Sequence, residues 1–137
     1  MAERIDRYIE RLELSEGASS EAIAELERKL SVQLPAEYRA FMERSNGAEG
    51  VIGEVGYLML WSIEDVADLN DEYGVTEFAP DLVLFGSDGG DTGYAFDTRK
   101  SPPEIATVPF IGMDLNEVKA YATTFNEFLR NLYKETA

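Results

Sequence analysis

The chain contains no cysteine and no histidine in 137 residues. Without cysteine there are no disulfides and no thiolate metal ligands, and nothing points to an oxidising compartment. Without histidine, Ser-His and Cys-His nucleophile activation, imidazole metal sites and the one side chain that titrates unperturbed near neutral pH all fall away. The chain is therefore expected to be no enzyme, and to carry no cofactor and no metal. Long apolar runs are missing as well: the longest is Tyr57 to Trp61, and the opening residues Glu3, Arg4 and Asp6 leave no room for the apolar core of a signal peptide. Neither a membrane span nor secretion is expected, and the cytoplasm is the default compartment.

Positive charge is the third scarcity. Between Arg44 and Arg99 there is no lysine or arginine, while residues 45–98 hold twelve Asp and Glu. That window supplies most of the net charge of −15, since residues 1–44 hold ten acids against seven bases and residues 99–137 hold five against five. A surface of one sign focuses the field and speeds encounter with a partner of the opposite sign, so a basic protein is the expected partner. Nucleic acid is excluded as a partner because its phosphates are repelled.

What is present suits one folded domain. The length is near the commonest domain size, and 45% apolar residues with seven Phe, seven Tyr and one Trp are ample for a core. Ile5, Tyr8, Ile9 and Leu12 recur at helical spacing and predict a helix over residues 3–14 ended by Gly17, followed by a second helix capped by Ser19 or Ser20, with Ile23, Leu26 and Leu30 on one face. A helical hairpin is thus expected to open the chain. Pro35 suits the first turn of a third helix with the stripe Tyr38, Phe41 and Met42, and Asn46-Gly47 supplies a left-handed stop. Val51-Ile52 and residues 57–61 then read as a hairpin, Ser62 to Asp65 has capping-box spacing for a helix running to about Tyr73, and Gly74 stops it.

Residues 81–85 and 94–97 read as strands joined by a glycine-rich loop over 86–93, residues 104–110 as another strand, and residues 114–122 as a loop with a short strand. Thr124 and Glu127 form a capping box for a last helix with Phe125, Phe128, Leu129 and Leu132 on one face. Neighbouring strands with short links, and helices gathered at both chain ends, predict an α+β fold with a central antiparallel sheet flanked by helices.

The glycine-rich loop lacks the ligand spacing of an EF-hand, has no Gly-Lys-Ser/Thr for a phosphate loop, and reads first as a strand connection, with a partner surface or an ion site as alternatives. With 27 carboxylates some pair always neighbours another, so proximity singles out no acid–base pair. The helix after Ser62 is more informative. Glu64, Asp68, Asp71 and Glu72 share one side of it, opposite Ile63, Val66 and Tyr73, with no cation to relieve them. These four, with Asp88 and Asp91 of the loop and the aromatics Trp61 and Tyr94, are the candidate partner-binding residues. A solvated acidic face, and core burial of the two aromatics, would explain the same residues without a partner.

The series Leu34-Pro35-Ala36-Glu37-Tyr38-Arg39-Ala40-Phe41, Asn46-Gly47, Trp61, Phe85-Gly86-Ser87-Asp88-Gly89-Gly90, Tyr94-Ala95-Phe96-Asp97 and Phe125-Asn126-Glu127-Phe128-Leu129 resembles the SUKH superfamily, in the branch related to yeast cell-wall assembly regulators. The likeness spans about residues 23–132 and lies in the order of several weak motifs. It departs from many relatives in the loop, where Asp91-Thr92-Gly93 stands in place of a third glycine and a glutamate. The resemblance implies an α+β fold without catalytic residues and, for many bacterial members, a role as immunity protein against a toxin domain, often a nuclease. Other members are regulatory scaffolds or adaptors. A small-molecule or ion-binding domain is a third reading.

Overall fold

A computed structural model describes residues 5–135. Its frame is a seven-stranded sheet in which sequence order is spatial order, β1-β2-β3-β4-β5-β6-β7, and every pair is antiparallel. The strands are β1 (Leu12–Leu14), β2 (Ala48–Ile52), β3 (Gly56–Leu60), β4 (Leu82–Ser87), β5 (Thr92–Asp97), β6 (Glu104–Pro109) and β7 (Lys119–Ala122). The helices are α1 (Asp6–Ile9), α2 (Ser20–Leu30), α3 (Ala36–Arg44), α4 (Ile63–Glu72), α5 (Val75–Phe78) and α6 (Phe125–Glu135). The expected α+β architecture, with helices towards both chain ends, is the one observed.

Every residue of β4 is buried, as is nearly all of β5, so the middle of the sheet is covered on both faces. On one face Phe85 and Phe96 stack at 4.3 Å, and Tyr38 of α3 and Phe125 and Phe128 of α6 pack edge-on against them. The two stripes read from the sequence, Tyr38/Phe41/Met42 and Phe125/Phe128/Leu129/Leu132, are both buried as expected. Capping follows the sequence too: Ser19 Oγ accepts from Ala22 N, Ser62 Oγ from Asp65 N, and Thr124 Oγ1 from Glu127 N.

The opening of the chain departs from the expectation. The helix stops at Ile9, and Leu12–Leu14 pairs with β2 as an edge strand, so no helical hairpin forms there; residues 3 and 4 of the expected helix lie outside the described residues. Leu12 satisfies a helical stripe and a strand alternation alike, and the free edge of β2 decides between them, with Leu12 opposite Gly50. Gly17 does not stop a helix. The chain there lies on the end of α3, where Ala18 N donates to Met42 O and Asn46 N to Glu16 O, and a side chain at Gly17 would collide with the Glu43 carbonyl. Nor do Asn46 and Gly47 cap α3, since Ser45 is already extended; Gly47, at φ +91°, instead turns the chain into β2.

Further along, β4 and β5 grow into the glycine-rich stretch, leaving only residues 88–91 as the loop. The turn of helix α5 after Gly74 has no counterpart in the sequence reading. Residues 114–122 form a 3-10 turn at Leu115–Glu117 followed by β7, as expected.

Candidate protein-binding surface

α4 lies beside β4 where β3 has turned away. β3 and β4 pair only at Met59–Ser87 and Leu60–Gly86, so the first half of β4 lacks a strand on that side. The buried side chain of Asn70 takes the strand's place: its Oδ1 accepts from Leu84 N at 2.9 Å, and its Nδ2 donates to Leu84 O at 2.8 Å and to Val66 O at 2.7 Å. The other end of α4 is held by Asn46, whose Oδ1 accepts from Ile63 N and whose Nδ2 donates to Glu64. With Ile63, Val66 and Asn70 buried, the remaining face is fixed outward.

That face carries Glu64, Asp65, Asp68, Asp71 and Glu72, all exposed, and none of them pairs with a lysine or arginine among the described residues. Glu64 and Asp65 sit in the first turn, where the helix dipole favours them. Asp71 and Glu72 sit in the last turn, where it disfavours each by about 0.3–1 kcal/mol, and no basic residue is there to offset it. This end of the helix is charged against its own stability.

The same end carries an aromatic ledge. Tyr73, expected on the inward side with Ile63 and Val66, is 40% exposed; its ring stacks on Phe110 at 4.6 Å and lies parallel to Trp61 at 6.2 Å. Trp61 is 9% exposed and supports the stack from within. Ile111, next to Phe110, is 86% exposed, and Phe78 folds back over Gly74 with half its surface free. Phe110 N donates to Asp91 O at 2.9 Å, which sets Asp91 beside the ledge. Asp71 and Glu72 precede Tyr73 in the chain, and Glu77 precedes Phe78, so the segment that carries the ledge is itself acidic.

The structure thus sets the backbone of Asp91 against Phe110 and ends α4 with Asp71 and Glu72 just before Tyr73; Asp71 also borders a hollow with Asn70, Val75 and Asp81. Glu64 sits two turns away along α4. Asp88 and Tyr94 belong elsewhere: Asp88 Oδ1 closes the loop by accepting from Gly90 N and Thr92 N, and Tyr94, 5% exposed, packs its ring against Phe128 on the face covered by α6. The loop's Asp88 and glycines are accounted for by this turn. Among the described residues no group of three or more acidic side chains could hold a metal ion. Asp97 leaves the acidic set as well, for it is buried in a two-point pair with Arg99, 2.9 Å at each contact, and that guanidinium holds its carboxyl below the ordinary range.

Sequence reasoning missed Tyr73, Phe78, Phe110 and Ile111 because each lies at or just past the end of an element, where periodicity no longer assigns a face. The available signal was the apolar pair Phe110-Ile111 just before Gly112.

The sequence profile of the SMI1 / KNR4 family (SUKH-1) matches residues 17–131. The chain belongs to this family. The matched range takes in α2, α4, the ledge and most of α6, and begins after β1. Among curated proteins, the SUKH-1 chain is 33% identical over 84 residues to "Uncharacterized protein YnaB" of Bacillus subtilis (strain 168), covering 61% of this chain and 53% of that one. It therefore spans about half the length of the curated relative it matches. No helix among the described residues of the SUKH-1 chain is long and apolar enough to cross a membrane.

Proposed function

We propose that this SUKH-1 protein is a non-enzymatic binding module, and that it serves as an immunity protein which neutralises a basic toxin domain in the cytoplasm. The observation that carries the reading is the partly exposed Tyr73–Phe110 ledge next to the acidic last turn of α4, where Asp71 and Glu72 oppose the helix dipole with no basic residue to offset them. Exposed aromatics beside unpaired charges suit a binding centre with polar surroundings. Asp68, Asp71, Glu72 and Asp91 draw in a cationic surface, Tyr73 and Phe110 supply apolar area at contact, and Trp61 keeps Tyr73 in place. Occlusion of a basic, nucleic-acid-binding face would inhibit a nuclease without any chemistry in the inhibitor.

The test is to search the neighbouring genes in the native host for a toxin-type domain and to co-express this protein with it. The expected outcome is restored growth and a stable complex, both weakened by Asp71→Lys with Glu72→Lys. Unrestored growth with no complex would remove the immunity role. A complex with a non-toxic cellular protein would transfer the same surface to a regulatory scaffold.

A further inference from the structure

The sheet carries a second polar feature on the face opposite the ledge. Successive strand residues point to opposite faces: a Cβ on Gly93 would lie 3.1 Å from the Phe110 ring, whereas the next residue, Tyr94, packs on Phe128 of α6. On the α6 side a groove of about 560 Å³ runs between Val55, Tyr57, Asp88, Tyr94, Tyr121 and Glu135. It is not the candidate surface described above, and it uses elements from across the sheet.

Its polar groups are unevenly satisfied. The Tyr57 hydroxyl donates to Glu49 and the Tyr121 hydroxyl to Glu135 at 2.5 Å. Asp88 spends Oδ1 on its loop. Tyr94, 95% buried, makes no hydrogen bond to any described residue, and its side chain lines the groove. Neither Asp88 nor Glu135 pairs with a cation among the described residues; Lys119, which faces Thr107 across β6 and β7, does not line the groove. Burial, and then the charges of Asp88 and Glu135, push the Tyr94 phenol up to about 12, so it stays neutral and both carboxylates are close enough to be felt.

An unpartnered oxygen, two uncompensated carboxylates and aromatic and aliphatic walls describe a receptor for a compact cation on an apolar stem. Phosphate and carboxylate ligands are repelled. A calcium ion needs six to eight oxygen ligands, and among the described residues no group of three or more acidic side chains could hold a metal ion. A guanidinium favours two coplanar acceptors on one group, whereas here the acceptors stand on β5, the β4–β5 loop and α6. Three acceptors on three elements match the three donors of an ammonium.

We propose that this groove receives a lysine side chain of the protein partner, its ammonium between Asp88 and Glu135 with the Tyr94 oxygen as third acceptor and its methylene stem along Tyr57 and Tyr121. The assignment rests on the reading of a basic protein partner and gives that partner a second, separate point of attachment.

The experiment is an amide chemical-shift titration of the full chain with acetyl-glycyl-lysyl-glycine amide, its Nε-acetylated form and its arginine counterpart. The lysine peptide is expected to give saturable shifts at Asp88, Thr92, Tyr94 and Tyr121, and the acetylated peptide none. Asp88→Asn, which keeps the loop's acceptor oxygen, should weaken binding about tenfold, and Tyr94→Phe about fivefold. Tyr94→Phe should leave the unfolding temperature unchanged or raised, which separates a ligand contact from a structural role. Equal shifts from the acetylated peptide, tighter binding of the arginine peptide, or no saturable shift would overturn the proposal. Shifts confined to residues 64–72 would overturn it too, while leaving the basic-partner reading intact; failure of this protein to rescue growth from a co-expressed toxin domain would sink that reading without touching a groove that binds the peptide.

Discussion

Asn70 is the residue whose side chain most directly replaces missing backbone. Its amide satisfies the N–H and C=O of Leu84 where β3 no longer runs beside β4. Asn70→Leu leaves both groups buried and unpaired, each costing about 1–3 kcal/mol. A loss of about 2–4 kcal/mol is expected in chemical denaturation, and a loss below about 1 kcal/mol would show that the amide is dispensable. Tyr38 is the opposite case. Its hydroxyl is fully buried without a partner among the described residues, and burial pushes its pKa up. Tyr38→Phe should hold or raise the melting temperature, and a marked drop would mean that the hydroxyl has a partner. Asp97 sets a pH dependence. Its folded pKa is depressed by Arg99, so its contribution is complete above the unfolded-state value of about 4 and is lost as pH falls through the lower folded-state value. The stability gap between the wild type and Asp97→Asn should be widest near pH 6–7 and should close below about pH 4. General relief of acid repulsion is common to both proteins and cancels in that difference. A gap independent of pH would rule out the ion pair as its source.

Among the elements, α4 combines a fixed inner face with an outer face that its own helix does not favour. Like charges at i,i+4 and acids in the last turn cost a few tenths of a kcal/mol each. Asp71→Lys with Glu72→Lys should therefore leave stability unchanged or raise it by about 0.5–1 kcal/mol in urea titrations, and a clear loss would mean that these carboxylates hold the fold. Long periodic segments were legible in the sequence: α2, α3, α4 and α6 all carry their apolar stripes where spacing puts them, and Ser19, Ser62 and Thr124 all cap. The first edge strand was harder. Leu12 fits either period, and only the free edge of β2, distant in sequence, selects the strand. The candidate surface divides in the same way. The carboxylates of α4 could be read from spacing alone, but the Tyr73–Phe110 contact joins a helix end to a strand end 37 residues apart, and nothing local encodes it. The groove around Tyr94 is likewise assembled from the β2–β3 turn, the β4–β5 loop, β5, β7 and α6, with its polar groups contributed one at a time.

At the scale of the whole molecule, the acidic window contributes to two surfaces on opposite faces of one sheet. The first is the outer face of α4 with the Tyr73–Phe110 ledge at its end; the second is the groove with Asp88 and Glu135. Asp97 is withdrawn from both by Arg99. A net charge of −15 acts at long range on a basic partner, while the aromatic ledge acts only at contact, so the two should separate kinetically. The most direct test is the association and dissociation rate of the identified partner against ionic strength, for the wild type, for Asp71→Lys with Glu72→Lys, and for Tyr73→Ala. The account predicts an association rate that falls steeply with salt and about tenfold with charge reversal, and a faster dissociation rate for Tyr73→Ala at an unchanged association rate. Salt-independent association, with all three proteins binding alike, would contradict it.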